Sequence, residues 1–252
     1  AGLATDGTNL YVADTSNNRI RKIVISTGAV TTLAGSGSAS FADGTGTSAS
    51  FNKPYGVSTD GTNVYVVDRS NHRIRKIVIS TGVVTTLAGS GSSGSTDAAG
   101  TAATFKNPRG IIRVGTNLYV VDSDNHRIRK IVISTGVVTT LAGSSAGFAD
   151  GAGTAAKFYS PYGITTDGTS LYVGEYANHK IRKIVIETGV VSTLAGSGSA
   201  SFADGTGTSA KFKYPYGVST DGTNLYVVDH GNHRIRKIVI STGVVSTLAG
   251  SG

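Results

Sequence analysis

A stretch of 54 residues recurs five times in this chain of 252 residues. Each copy carries a core of the type Asn-His-Arg-Ile-Arg-Lys-Ile, and the cores begin at Asn17, Asn71, Asn125, Asn178 and Asn232. The intervals between these positions are 54, 54, 53 and 54 residues. A fixed period of this length is the signature of solenoids and propellers, so it limits the fold more strongly than any single motif does.

Each copy reads as four short strands joined by tight turns. In the first copy the apolar runs cover residues 2–5, 10–14, 19–25 and 29–34, and Asp-Gly and Thr-Gly turns separate them. Such a four-stranded meander cannot cover both of its own faces, but stacking five of them buries the faces between neighbours. The sequence therefore predicts an all-β protein, a β-propeller of five four-stranded antiparallel blades, each contiguous in sequence.

We expect one propeller domain over residues 1–252, because no break in composition separates the copies. The predicted blades cover about residues 2–35, 55–89, 109–143, 162–196 and 216–250. The connections between blades run to roughly twenty residues, which is long for a loop. Each connection carries a phenylalanine, and we expect these four residues to pack across the adjoining blades: Phe51, Phe105, Phe158 and Phe212.

The composition excludes several classes of function. The chain has no Cys, so disulfides, thiol chemistry and Cys-ligated zinc are excluded. No apolar stretch approaches the ~18 residues that a membrane-spanning helix needs. The net charge of +8 could favour an anionic partner. However, each of the five cores carries the same number of basic residues, so the positive charge is spread around the molecule. Nucleic-acid binding is therefore less favoured, because it would need a concentrated basic surface.

The repeats resemble NHL repeats, a β-propeller family. The fifth copy carries the motifs that support this resemblance: Asp204-Gly205-Thr206-Gly207, Phe212, Pro215, Tyr226-Val227-Val228-Asp229, Asn232-His233-Arg234-Ile235 and Thr242-Gly243. The resemblance covers essentially the whole chain and implies a propeller that acts as an interaction scaffold. The chain departs from the pattern in having Asn18 for His, Glu175 for Asp and Arg109 for Tyr. It also has five copies, where the family usually has six blades.

Four histidines occupy equivalent positions in the cores: His72, His126, His179 and His233. A propeller would spread them around its circumference, so they cannot converge on one metal ion, and we expect them to hydrogen bond locally at the turn. His230 and His233 form one local pair, but two histidines without a third ligand make a poor metal site. The sequence predicts no metal, no catalytic residue and no cofactor.

An acidic residue closes the second strand of every copy: Asp14, Asp68, Asp122, Glu175 and Asp229. It lies three residues before the Asn of the core and five before an Arg, such as Arg73, and we expect it to cap the turn and neutralise the basic strand. The alternative is a ring of carboxylates for metal-assisted hydrolysis. Asp43, Asp150 and Asp204 resemble calcium-loop residues, but one carboxylate per loop favours a turn-forming role.

Positions at which near-identical copies differ are candidates for specificity. Two such sets, at the tips after the second strand and just before the innermost strand, should surround one mouth of the central channel. The predicted binding residues are Lys53, Tyr55, Arg69, Arg109, Tyr162, Tyr176, Tyr214, Tyr216 and His230. Tyr, Arg, Lys and His are suited to stacking on and hydrogen bonding a carbohydrate, a peptide or an acidic group.

The sequence favours a non-enzymatic scaffold for a protein, peptide or carbohydrate ligand, outside the cell or at its surface. The alternatives are an anionic-polymer or RNA-binding NHL domain and, less favoured, a metal-dependent propeller hydrolase or lyase. The near-identity of residues 35–57 and 196–218 indicates recent amplification or design without a selected ligand. Membrane insertion is not predicted. Self-association is expected if the five blades do not close on themselves.

Overall fold

A computed structural model describes residues 2–251. In this range it has 23 strands, eight short 3-10 turns and no α-helix. The chain forms two compact units, one up to Asp122 together with Lys130–Thr139, the other of Ser123–Arg129 together with the residues from Thr140 on. The assignment of all 252 residues to one domain stays a prediction.

The strands form five antiparallel sheets, one for each repeat. The first sheet contains β1 to β4 (Leu3–Thr5, Asn9–Asp14, Arg19–Val24, Val30–Ala34). The second contains β5 to β9 (Gly44–Thr45, Pro54–Thr59, Asn63–Asp68, Arg73–Val78, Val83–Ala88). The third contains β10 to β13 (Ile111–Val114, Asn117–Asp122, Arg127–Val132, Val138–Ala142). The fourth contains β14 to β18 (Gly151–Ala152, Pro161–Thr166, Ser170–Glu175, Lys180–Val185, Val190–Ala195), and the fifth β19 to β23 (Gly205–Thr206, Pro215–Thr220, Asn224–Asp229, Arg234–Val239, Val244–Ala249).

The predicted fold class, an all-β five-bladed propeller with sequence-contiguous blades, is confirmed. One feature was not predicted. In three of the blades the preceding connection adds a two-residue fifth strand to the outer edge of the sheet, as β5 does against β9. A 3-10 turn follows each of these strands, for example Gly46–Ser48 after β5. The long connections are therefore ordered parts of the blades.

Within each unit, hydrophobic clusters lie between the faces of successive blades. In the first unit one buried cluster combines the first blade, the connection and the second blade: Tyr11, Ala13, Ile20, Ala34, Ala49, Phe51, Val57, Val64, Val66, Ile77 and Val84. Blades buried on both faces need near-continuous apolar strands, which explains why these strands do not alternate. The predicted packing across adjoining blades is confirmed for Phe51, Phe105 and Phe212. Phe158 is fully buried as well.

A tyrosine clasps the first hairpin of four blades. In the second blade the Tyr65 hydroxyl donates to Asp60 Oδ2 at 2.7 Å, and the Asn63 amide donates to Asp60 Oδ1 at 2.6 Å. Burial raises the pKa of Asp60, but the hydrogen bonds donated by Tyr65 and Asn63 outweigh it and lower the pKa to about 2. The same tyrosine-to-aspartate bond joins Tyr11 to Asp6, Tyr172 to Asp167 and Tyr226 to Asp221.

This clasp predicts a specific acid sensitivity. A carboxyl whose folded pKa is depressed stabilises the protein above its unfolded pKa of about 3.9, and this contribution is lost as the pH falls toward about 2. We expect Asp60→Asn to be less stable than the wild type at pH 5 and to approach it at pH 2, as measured by urea unfolding. Glu187→Gln, a matched change at an exposed turn, should show no such convergence. The prediction would be contradicted if the difference in unfolding free energy between Asp60→Asn and the wild type were the same at pH 5 and pH 2.

Candidate functional site

The tips after the second strands are fixed by a residue in the left-handed conformation. The core histidines have this conformation, with φ of 54° at His72, 57° at His126, 54° at His179 and 51° at His233. Asn18 replaces His in the first copy and has a φ of 53°. Asn adopts this conformation several-fold more often than most residues, and His is also enriched there, which suits both to this position.

The histidines hold the connection that leads into the next blade. His72 Nδ1 accepts a hydrogen bond from the Asn107 amide at 3.1 Å, and His179 Nδ1 accepts one from the Tyr214 amide at 3.2 Å. Asn18 makes the equivalent bond to the Lys53 amide through its Oδ1, at 2.9 Å. The expectation of a local bond at the turn was wrong, because the partner lies 35 residues further along the chain.

The residue that receives this bond is itself left-handed. Its φ is 52° at Lys53, 44° at Asn107, 49° at Ser160 and 56° at Tyr214. A non-glycine residue persists in this conformation only where its surroundings impose it. The histidine bond on one side and the buried proline that follows on the other supply that restraint, so the variable side chain at this position is presented from a fixed backbone.

The acidic series is structural, as expected, but its main partner was assigned wrongly. Asp68 pairs with Arg75 at 2.7 Å, not with Arg73, and both side chains of this pair are fully buried. Asp68 also accepts bonds from the Asn52 amide and from Asn71 Nδ2. Glu175 and Asp229 make the same pairs, with Arg182 and Arg236 respectively. Burial raises the pKa of Asp68 and of Glu175, against the opposing effect of these partners.

Asp43 and its equivalents are ion-pair partners as well as turn residues, which corrects the expectation of a turn-forming role alone. Asp43 contacts Arg75 at 2.6 Å and accepts a bond from the Thr86 amide at 3.2 Å. Asp150 and Asp204 contact the equivalent arginines at the same distance. Arg75, Arg182 and Arg236 therefore each pair with two carboxylates, one buried and one partly exposed. Asp43, Asp150 and Asp204 are thus engaged in ion pairs within the blades. Residues 2–251 hold no group of three or more His, Asp or Glu placed to bind a metal ion.

The second unit brings five of the predicted binding residues together. Tyr176 stacks on Tyr214 with ring centroids 4.7 Å apart and on Tyr162 at 5.0 Å. Tyr216 lies 5.0 Å from Tyr162 and 6.2 Å from His230. His179, which was not among the predicted residues, closes the other end with an edge contact to Tyr214 at 5.0 Å. We call this run of six rings the tyrosine surface: His179, Tyr214, Tyr176, Tyr162, Tyr216 and His230.

The first unit holds the other four predicted residues without such a run. Tyr55 and Arg109 are together, with the Arg109 guanidinium 5.6 Å from the Tyr55 ring. Lys53 is exposed, and Arg69 begins the 3-10 turn Arg69–Asn71. Tyr55 and Arg109 are the counterparts of Tyr162 and Tyr216, so the tyrosine pair of the second unit is a tyrosine–arginine pair in the first. His179 was missed because it belongs to the repeated core, which argued against a role in specificity.

Comparison with known proteins agrees with the repeats. No family model matches the chain. NHL repeat-containing protein 2 of Homo sapiens is 30% identical over 292 residues, which include 98% of this chain and 40% of that protein. The chain is an NHL-repeat β-propeller. A second relative of this NHL propeller, Protein SUPPRESSOR OF QUENCHING 1, chloroplastic, of Arabidopsis thaliana, is 32% identical over 93% of the chain. The NHL chain spans 24% of that relative's length.

Solved structures share the fold of this NHL propeller at low identity. A chain of the nidogen/laminin complex superposes with a TM-score of 0.69 at 18% identity, over 97% of the NHL chain and 78% of that chain. An auxiliary nutrient binding protein of Bacteroides thetaiotaomicron superposes with a TM-score of 0.72 at 16% identity, over 100% of the NHL chain and 57% of that protein's chain. Virginiamycin B lyase of Staphylococcus aureus, with quinupristin, gives 0.62 at 16% identity, over 97% and 68%. No helix in residues 2–251 has the length and apolar character needed to cross a bilayer.

Proposed function

We propose that this NHL propeller is a non-catalytic binding module that takes a carbohydrate, peptide or protein ligand on the tyrosine surface. The stacked run from Tyr214 through Tyr176 to Tyr162, with centroid spacings of 4.7 and 5.0 Å, is the observation that carries the proposal. These rings are half-buried, so each is fixed by its neighbours while part of it faces solvent. Rigid tyrosines supply contact area and a hydroxyl at little entropic cost, which suits sugar rings and peptides.

The roles of the carboxylates support a non-catalytic module. Asp68, Glu175 and Asp229 are fully buried, and each is paired with an arginine. A catalytic acid or metal ligand must reach its substrate or ion, whereas these groups are committed to the blades. One structural neighbour is a lyase. At 16% identity its similarity to this chain shows a shared fold and does not indicate a shared activity.

The charge distribution also favours this proposal over the RNA-binding alternative. Four arginines of the repeated cores are fully buried: Arg75, Arg129, Arg182 and Arg236. Buried arginines cannot neutralise phosphates, so these four residues do not contribute to a phosphate-binding surface. Two neighbours have names that concern partners or nutrients, the nidogen/laminin complex and the auxiliary nutrient binding protein. A location outside the cell stays a prediction.

Substitution within the tyrosine surface tests the proposal. The wild type would be screened on a glycan array and against a displayed library of twelve-residue peptides. We expect binders from at least one screen to lose about tenfold or more in affinity with Tyr176→Ala, because a central aromatic contact typically contributes 1–2 kcal/mol or more. Calorimetric titration would measure the loss.

The matched control is Tyr159→Ala, which removes an exposed tyrosine that contacts His126 and lies outside the run. Circular dichroism should show that both variants keep the fold. Binding that falls equally in both variants, or in neither, would rule out the tyrosine surface as the site. A titration with single-stranded RNA at two salt concentrations provides the competing result, since steep salt dependence would favour the RNA-binding alternative.

A further inference from the structure

His179 holds the backbone of Tyr214, the residue at one end of the stacked tyrosines. Its Nδ1 atom accepts the hydrogen bond of the Tyr214 amide at 3.2 Å. Nδ1 therefore carries no hydrogen, and the neutral imidazole has its hydrogen on Nε2. The same imidazole makes an edge contact with the Tyr214 ring, with centroids 5.0 Å apart. One histidine thus contacts both the main chain and the side chain of this tyrosine.

Tyr214 depends on this restraint because its backbone is left-handed. Its φ is 56°, a conformation that a bulky residue keeps only where its surroundings impose it. The Tyr214 amide has one hydrogen to donate and gives it to His179. From this backbone the Tyr214 ring stacks on Tyr176 at 4.7 Å, and Tyr176 stacks on Tyr162 at 5.0 Å. The bond to His179 therefore fixes the first ring of the stack.

Protonation of His179 abolishes this bond. In the neutral ring Nε2 already carries a hydrogen, so an added proton goes on Nδ1, the atom that accepts from Tyr214. Two N–H groups then face each other, and the Tyr214 amide loses its acceptor. Histidine is also the side chain whose ordinary pKa, about 6.5, makes it change charge between pH 5 and 8.

Burial has the largest effect on the protonation of His179. It lowers the pKa of the imidazole, and the Asp229 carboxylate of the fifth blade, itself paired with Arg236 at 2.8 Å, raises this pKa by a smaller amount. The other charged side chains of the adjoining elements belong to the fourth blade and to the connection: Glu175, Lys180, Arg182 and Lys213. Release of Tyr214 removes the burial that lowers the pKa, so a falling pH favours the released conformation.

The first copy of the repeat makes the same bond with a group that does not titrate. Asn18 occupies the position of His179, with a φ of 53° against 54°, and its Oδ1 accepts from the Lys53 amide at 2.9 Å. An amide oxygen accepts a hydrogen bond over the whole pH range in which histidine changes charge. In the second copy His72 accepts from Asn107, which has no aromatic ring. At His179 the titrating acceptor meets a residue of the tyrosine surface.

We propose that His179 is a pH switch of the tyrosine surface: protonation of its Nδ1 releases the Tyr214 amide and, with it, the ring that ends the stack. The stack is complete at neutral pH and loses Tyr214 as the pH falls below about 6.5. A ligand of the tyrosine surface is therefore bound at neutral pH and released on acidification. This consequence for binding rests on the proposed function, whereas the change at Tyr214 does not.

Hydrogen exchange of single amides, followed by NMR, tests the switch without a ligand. We expect the protection factor of the Tyr214 amide to fall about tenfold or more between pH 7.5 and pH 5, because the amide loses its acceptor. The Lys53 amide is the control within the same molecule, since Asn18 holds it at both pH values. Its protection factor should stay the same. Equal protection of the Tyr214 amide at both pH values would overturn the proposal.

His179→Asn distinguishes the imidazole from a general effect of acid. The new side chain should keep the Tyr214 amide bonded, as Asn18 keeps Lys53, so the protection factor should be the same at both pH values. His72→Asn makes the same change in the second copy and should leave the pH response of Tyr214 as it is in the wild type. Loss of Tyr214 protection at pH 5 in His179→Asn would contradict the switch.

The stacking of the rings can be followed separately. The chain has no Trp and 11 Tyr, so its near-ultraviolet circular dichroism reports chiefly on tyrosines. This signal should decrease between pH 7.5 and pH 5 in the wild type and not in His179→Asn, while the far-ultraviolet spectrum of both stays unchanged. A near-ultraviolet signal that is the same at both pH values in the wild type would show that the stack survives protonation, against the proposal.

Binding measures the consequence of the switch. The probe is a binder from the glycan or peptide screen that depends on Tyr176 and is either a neutral glycan or a peptide without Asp, Glu or His. Its affinity for the wild type should fall about fivefold or more between pH 7.5 and pH 5, because fewer molecules have the complete stack. Its affinity for His179→Asn should not change.

The two proposals fail in different ways. An affinity of this probe for the wild type that is equal at pH 7.5 and pH 5 would overturn the regulation of binding. If neither screen yields a binder that depends on Tyr176, the proposed function fails, and the exchange of the Tyr214 amide still decides whether His179 acts as a switch.

Discussion

Arg75→Met should destabilise the propeller by about 3–5 kcal/mol, because it leaves a buried carboxylate without its counter-ion. Asp68 is fully buried with Arg75 at 2.7 Å, and the same guanidinium holds Asp43 at 2.6 Å. Methionine replaces most of the side-chain volume but none of the hydrogen bonds to the carbonyls of Ala42 and Ser50. The expected result is a large shift of the urea midpoint to lower concentration at neutral pH.

Arg21→Met provides a control from within the same chain. Arg21 occupies the same position in the first blade, but it is 29% exposed and 3.7 Å from Asp14. Exposed ion pairs contribute about 0–1 kcal/mol, so this variant should unfold close to the wild type. The two substitutions are chemically identical. The difference between their losses of unfolding free energy therefore reports how much the burial of Arg75 and its bonds to the connection contribute to stability. Equal losses in both variants would contradict the assignment of Arg75 as the centre of the second blade.

The blades could be predicted from the repeats because each strand and turn is recognisable from a short stretch of sequence. Strand length, Asp-Gly turns and apolar runs are all present within about ten residues of sequence, and the period then fixed how many sheets there are. The choice between Arg73 and Arg75 as the partner of Asp68 was not accessible in this way. Residues two apart on a strand point to the same face, so sequence places both arginines beside the carboxylate. The two arginines differ in burial: Arg75 is fully buried beside Asp68, whereas Arg73 is only partly buried.

The parts that were not predicted depend on partners far apart in sequence. The strand Gly44–Thr45 is only two residues long, too short to be recognised from its own sequence. Its pairing with β9 accompanies the bond between Asp43 and Arg75, 32 residues away. The histidine bond to the next connection is of the same kind. In the tyrosine surface, the variable positions were found by comparing copies. Their mutual stacking joins side chains of two different repeats, Tyr176 and Tyr214, and Tyr214 has a left-handed backbone that its sequence does not indicate.

Phe212→Ala should cost about 3–5 kcal/mol of folding free energy, as much as a truncation in the middle of a conventional core. Phe212 is fully buried in a cluster that includes Tyr172 and Ile181 of the fourth blade and Leu225 and Val227 of the fifth. Backbone closes the site on one side, since a Cβ at Gly196 would lie 3.2 Å from the Phe212 ring. The surroundings therefore cannot collapse easily into the space left by the ring.

Phe202→Ala is the matched control, because it removes an exposed phenylalanine from the same connection. Phe202 is 42% exposed, and its ring lies 3.9 Å from the Arg234 guanidinium. An exposed contact of this kind contributes about 0.5–1 kcal/mol, so Phe202→Ala should shift the urea midpoint only slightly. A loss for Phe212→Ala as small as that for Phe202→Ala would contradict the prediction. A loss confined to Phe212→Ala would show that the connection between blades is part of the core, because its buried ring would then stabilise the fold as strongly as a strand residue does.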